Sequence, residues 1–196
     1  MDTKTIDTIM HTILNCSGGD SEQFRGVFPI DRLNSIGLIS PGNLRICIIN
    51  SQTSTEPGEH WLVVGFDLRN PKNNHAFIFD SLSRNPKASY PILAQFLKEN
   101  SSRINFVLRN KTKFQTSELD SCGLHAIYFV AMMTVRNLTF REALQTFDPE
   151  NTLFNDCTLL HNINEFLRCS SKYKLLDFMS KQLLDTKDKC ESSHSK

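Results

Sequence analysis

Three short runs rich in β-branched and aromatic residues follow one another through the middle of the chain: Leu44–Asn50 (LRICIIN), His60–Asp67 (HWLVVGFD) and His75–Asp80 (HAFIFD). Each has the length and composition of a strand. Pro57-Gly58 and the turn Asn70-Pro71-Lys72-Asn73-Asn74 punctuate them. The last two runs are close enough to form an antiparallel meander. A chain with this centre is committed to a sheet, and the rest must cover it. A helix is expected at 89–99, then a fourth strand, Ile104–Arg109 (INFVLR). Near the start, Ile6, Ile9, Met10, Ile13 and Leu14 recur at helical spacing until Gly18-Gly19, and Phe24-Arg25-Gly26-Val27-Phe28-Pro29 reads as a loop. From Ser121 the pattern is helical: Asp120 or Ser121 can cap GLHAIYFVAMM, and Thr139 with Glu142 forms a capping box for the next helix. The expected fold is α+β, a central and mainly antiparallel sheet with helices packed around it.

At 196 residues the chain suits one domain, placed at 1–185, with 186–196 (TKDKCESSHSK) expected to be a disordered tail. No apolar run approaches the ~20 residues of a membrane span. Residues 1–16 have neither a basic start nor a continuous apolar stretch, so no secretory signal is expected and the protein should act inside a cell, as a monomer with no membrane partner. The six cysteines are widely spaced, with no CxxC, and outside the motif below they read as reduced thiols. No metal site is expected. Charge is uneven: residues 69–113 carry nine basic against two acidic residues. Arg103, Arg109, Lys111 and Lys113 are the candidates for contact with a polyanion such as DNA; the plainer reading is a solvated surface.

A thiol attacks carbonyls as a thiolate, which a neighbouring imidazolium and the N-terminus of a helix both favour. Cys122, in Asp120-Ser121-Cys122-Gly123-Leu124-His125, stands where a polar cap meets an apolar helix, and Gly123 would leave the backbone open to a substrate. The other cysteines have no such setting. Its base must come from elsewhere in the chain. His60 opens a strand after a turn and is followed by Trp61, a candidate substrate contact; His125 could also face the sulfur, though its apolar neighbours equally suit a buried position; His75 reads as exposed. Asp80 ends the strand FIFD, where it could hold an imidazole by its N–H. Gln115, seven residues before Cys122, could join the Cys122 backbone N–H in an oxyanion hole.

In this order, GEHWLVVGF, FIFD and QTSELDSCGLH resemble the adenovirus proteinase (adenain) family and the related proteases of ubiquitin-like modifiers. FRGVFP upstream and LLHNINEFL downstream are weaker echoes, so the resemblance covers residues 24–169. The six residues between Gln115 and Cys122 follow adenain, whereas Asp80 follows the modifier proteases, since adenain has Glu there. The mixture resembles the divergent members encoded by Maverick (Polinton) elements and adintovirus-like viruses. The resemblance implies a papain-like or adenain-like fold with the nucleophile at a helix N-terminus and no cofactor in the chemistry. It also implies cleavage of viral structural precursors after glycine during virion maturation, in the virion and host nucleus. Adenain is stimulated by DNA and by a viral peptide disulfide-bonded to a cysteine on the strand after the acid. Ile104–Arg109 contains no cysteine, so covalent attachment of that kind has no counterpart here.

The rival enzyme reading is an isopeptidase acting on ubiquitin-like modifiers with the same residues. Effector acetyltransferases also use His, acid and Cys, but carry cofactor-binding structure not visible in this sequence. A DNA-binding or capsid-associated protein without activity is the remaining class, supported only by the central basic excess.

Overall fold

The strand-forming runs pair as their spacing requires. In the computed structural model, which describes residues 1–36 and 42–169, β2 (Leu44–Asn50), β3 (Trp61–Asp67) and β4 (His75–Phe79) form an antiparallel meander. β1 (Phe24–Pro29) and β5 (Phe106–Arg109) flank it, and the five strands lie in sequence order. The central pairings are antiparallel as expected, and the two outer ones are parallel. β1 pairs parallel with β2, and β5 parallel with β4. Both outer connections are crossovers: a 3-10 segment (Ile30–Ile36) leaves β1, and the helices α2 (Pro86–Ser89) and α3 (Pro91–Glu99) separate β4 from β5. The loop expected at 24–29 is thus an edge strand, masked in sequence by its Gly and Pro.

Alternation along the strands divides the core. Ile46, Ile48, Val63, Phe77 and Phe79 face α1 (Thr3–Ser17), α4 (Cys122–Thr134), α5 (Phe140–Leu144) and α6 (Thr152–Leu167), whereas Cys47, Ile49, Leu62, Val64, Phe66 and Ile78 face the 3-10 segment and α3. The first layer is the thicker. All but one residue of α4 are buried, as expected of a helix apolar all round and enclosed between a sheet and other helices. Gly65 lets Phe77 lie across β3: a Cβ there would stand 2.2 Å from the Phe77 ring and 2.8 Å from the Arg45 carbonyl.

Cys16, at the end of α1, is disulfide-bonded to Cys169, just beyond α6, with Cα atoms 5.4 Å apart. Cys157 is also disulfide-bonded. For Cys16, Cys157 and Cys169 this corrects the expectation of reduced thiols, while Cys47 is free and buried; α1 and α6 lie side by side, a proximity that a separation of 153 residues conceals. Among the described residues no helix is long and apolar enough to cross a membrane, and no cluster of ligating side chains could hold a metal ion. The expected tail at 186–196 lies outside the described residues, as do 170–185 of the expected domain.

Candidate active site

The β3–β4 register pairs Val63 with Phe79, so the residue entering β3, His60, and the residue leaving β4, Asp80, share one rim of the sheet. α4 packs across β3 and begins at Cys122. Three elements thus bring residues 20 and 62 positions beyond His60 to one place. All three side chains are nearly closed to solvent, at 3% exposure each.

Asp80 is the anchor. Its Oδ1 accepts from His60 Nε2 at 2.7 Å and from the Leu82 N–H at 2.9 Å; its Oδ2 accepts from the Tyr90 hydroxyl at 2.8 Å and from the Arg84 N–H at 3.1 Å. The tight turn that aims these amides back at the carboxylate places Ser83 in the left-handed region (φ 55°), which a residue with a side chain seldom adopts. Asn110 clamps the same residue through its backbone, accepting from the Asp80 N–H at 3.0 Å and donating to its carbonyl at 2.7 Å. Burial works to raise the Asp80 pKa, but the His60 hydrogen bond and charge and the other donors outweigh it and hold the carboxyl below its usual range. His60 shows the complementary balance. Burial pulls its pKa down, yet hydrogen bonds and charge from Asp80 and Cys122 raise it from about 6.5 to about 9.

Cys122 is a free thiol at the first position of α4, its Sγ 3.8 Å from Asp120 Oδ1. The N-cap Ser121 gives no capping bond, because its hydroxyl turns inward to Asp156 at 2.5 Å. The first-turn amides of α4 therefore remain free of a side-chain cap, and their dipole favours negative charge at that point. Cys47, the other free thiol among the described residues, lies inside β2, and burial pushes its pKa up. Gln115 is buried beside the site. The Ser81 hydroxyl donates to its Oε1 at 2.7 Å, and its Nε2 donates to the Leu119 carbonyl at 2.6 Å. The amide orientation is fixed, and a second N–H on Nε2 is left over. Asp80 and its neighbour Ser81 thus hold the histidine and the glutamine respectively.

The remaining candidates divide. Trp61 flanks the site, its indole N–H donating to the Met1 carbonyl at 3.1 Å, on a cleft of about 440 Å³ that Pro29, Asn50, Glu56 and Gly58 also line. Gly123 is buried, and the space before its Cα is taken by Met1, Ile6 and Trp61, with contacts of 3.4–3.5 Å to a Cβ built there. The start of α1 covers the backbone that the sequence suggests is open to a substrate. His125 is fully buried, stacked on Phe147, and belongs to the layer beneath. Asp67, at the far end of β3, pairs with Arg69 at 2.7 Å and sits ~20 Å from His60 at ~3.3 Å per residue. His75, expected to be exposed, is only 6% so, because Phe106 of β5 stacks on its ring. Arg103, Arg109, Lys111 and Lys113 are all exposed, and none makes a salt bridge among the described residues. Tyr90, Asn110 and Ser81 are site residues that sequence reasoning does not single out.

An α+β fold with a buried His, Asp and Cys at one sheet rim has the arrangement of a thiol hydrolase, and comparison gives the family. Residues 24–184 match the family model of the adenovirus endoprotease, and the chain belongs to that family of cysteine proteases. Among solved structures, the ASFV pS273R protease is 14% identical over 86% of this chain and 65% of its own (TM-score 0.49). A selenomethionine form of it is 15% identical over 64% of this chain and 42% of its own (TM-score 0.42). This chain thus spans less than two thirds of either viral structure. A de-sumoylating protease is 12% identical over 100% of this chain and 83% of its own (TM-score 0.48). No curated protein sequence matches at a significant level.

Proposed function

We propose that the protein is a cysteine endopeptidase in which Cys122 is the nucleophile, His60 the base and acid, Asp80 the group that orients His60, and Gln115 an oxyanion donor. The observation that carries this reading is the 2.7 Å hydrogen bond between Asp80 and His60, with Cys122 near enough to help raise the His60 pKa and seated at the uncapped start of α4. His60 uses Nε2 for Asp80, which leaves Nδ1 for the sulfur. In the reaction the Cys122 proton passes to His60 and the thiolate adds to the substrate carbonyl. The carbonyl oxygen, now negative, meets the Cys122 N–H and the spare Gln115 N–H, which are worth most where water is excluded. His60 returns the proton to the departing amine, leaving a thioester. A water molecule, deprotonated by His60, then releases the acid and frees the thiol. No cofactor enters these steps.

The substrates we infer are precursor structural proteins of a virus, cut after glycine during maturation; the family match supports this class. The rival occupant of the same site is a conjugate of a ubiquitin-like modifier. Incubating the protein with precursor capsid proteins of the same genome, beside modifier-conjugate probes, separates the two. Cleavage of precursors alone supports the proposal, and turnover of conjugates alone replaces it with the isopeptidase reading. Absence of both, with a Cys122 unreactive to thiol probes, would sink the enzyme reading itself.

A further inference from the structure

The carboxylate of Asp156 on α6 has no contact with solvent and no place in the reaction just described. Full burial of an ionised carboxylate is costly unless its lone pairs are filled. Every group that fills them belongs to the layer beneath the nucleophile. Oδ1 accepts from the Ser121 hydroxyl at 2.5 Å and lies 3.6 Å from His125 Nε2, and Oδ2 accepts from the Thr116 N–H at 2.9 Å. Its neighbour Asn155, 2% exposed, donates from Nδ2 to the Phe114 carbonyl at 3.1 Å. The two α6 residues therefore grip Phe114 and Thr116, the immediate neighbours of Gln115, and the residue before Cys122. His125 closes the neck of the same loop, with Nδ1 3.1 Å from the Ser121 carbonyl and Nε2 3.2 Å from the Phe114 carbonyl.

The post that carries this grip does not move freely. The end of α6 is tied to α1 by the Cys16–Cys169 disulfide and by the Ser17 hydroxyl, 3.5 Å from the Phe166 carbonyl. Asn155 is itself fixed, accepting from the Asp148 N–H at 2.7 Å and donating to the Asp148 carbonyl at 2.8 Å. We infer that Asn155 and Asp156, with His125, are positioning residues for oxyanion stabilisation: they set the loop from Phe114 to Ser121 so that the Gln115 amide and the Cys122 N–H converge on one point. The inference rests on the cysteine-protease reading and adds a role for α6 within it.

The two donors act only on a carbonyl that is gaining charge, whereas alkylation of a thiolate by iodoacetamide needs no such hole. Asp156→Asn keeps the size of the side chain but not both acceptors. It should lower kcat for peptide hydrolysis roughly 10²-fold, the order of a lost oxyanion donor. KM should stay within about threefold, because the loss falls on the transition state. The iodoacetamide rate at Cys122 should be unchanged, and the Thr116 amide should exchange its hydrogen faster than in the wild type. Asn155→Asp, which removes the amide donor to Phe114, should show the same split if Asp156→Asn folds poorly. Wild-type kcat in both variants would overturn the inference, as would hydrolysis and alkylation falling in parallel, or a Thr116 amide already unprotected in the wild type. A wild-type protein that hydrolyses nothing would sink the protease reading separately, since the Thr116 exchange still decides whether the grip exists.

Discussion

His60 holds two partners that oppose its burial, and the sign of that balance has consequences. Its raised pKa means that the contribution of this contact to stability is fully present below about pH 6.5 and is lost as pH rises through about 9. Urea unfolding followed across that interval should show stability falling, and His60→Gln should flatten the slope. Activity should fall over the same alkaline limb, because a deprotonated His60 has no proton to give the leaving amine. Cys122→Ala and His60→Ala should each remove hydrolysis while leaving the circular dichroism spectrum unchanged, since nucleophile and base act as a unit. Turnover within about tenfold of wild type in Cys122→Ala would end the thiol mechanism. For Asp80→Asn the expectation is graded. An amide can still accept from His60 but carries no charge, so kcat should drop by roughly 10²- to 10⁴-fold with residual activity measurable. Tyr90→Phe, which removes one of the four donors to that carboxylate, should cost less.

Among the elements, β2, β3 and β4 are legible because continuous apolar runs of strand length leave few alternatives, and α4 because a polar cap precedes an unbroken apolar stretch. β1 is not, since Gly26 and Pro29 read as breakers and its partner strand begins only at Leu44. The same limit governs the site. His60, Asp80 and Cys122 stand at element ends, where polar residues interrupt apolar patterns, and so can be picked out. Ser81, Tyr90, Asn110, Asn155 and Asp156 carry no such signature, and only the folded chain gives them their partners: Gln115 for Ser81, Asp80 for Tyr90 and Asn110, and the segment from Phe114 to Ser121 for the two α6 residues. His75 illustrates the converse error: the residues before it in sequence are polar, but Phe106, thirty-one positions on, stacks on its ring and buries it. Gly65 offers a test at this scale. Gly65→Ala would drive a methyl group into the Phe77 ring and the Arg45 carbonyl, neither of which can withdraw cheaply. A loss of ~1–3 kcal/mol is expected, read as a lower urea midpoint with an unchanged slope.

At the scale of the whole molecule, the basic residues of the central segment form no part of the catalytic layer. We propose that Arg103, Arg109, Lys111 and Lys113, all exposed and running along β5 into the Gln115 loop, are a contact for DNA. Such binding should weaken by roughly 0.9 log units per log salt for each phosphate neutralised. Reversing the four to glutamate should abolish it while leaving the DNA-free cleavage rate intact. If duplex DNA changes neither binding nor rate at low and at physiological salt, the surface is merely solvated. A different demand falls on whoever assays this protein. It carries a thiol that must stay reduced to react and a Cys16–Cys169 cross-link that must stay oxidised to join α1 to α6. A cross-link closing so long a loop contributes on the order of 2–5 kcal/mol. Reductant therefore acts in two opposite directions. A trace restores an oxidised nucleophile, and an excess unfastens the helix that grips the oxyanion loop. Activity plotted against dithiothreitol should rise and then decline, and Cys16→Ser should lessen the decline by lowering the plateau from the start, the Cys157 disulfide accounting for what is left of it. The expected profile is a redox window, closed at its two ends for different reasons.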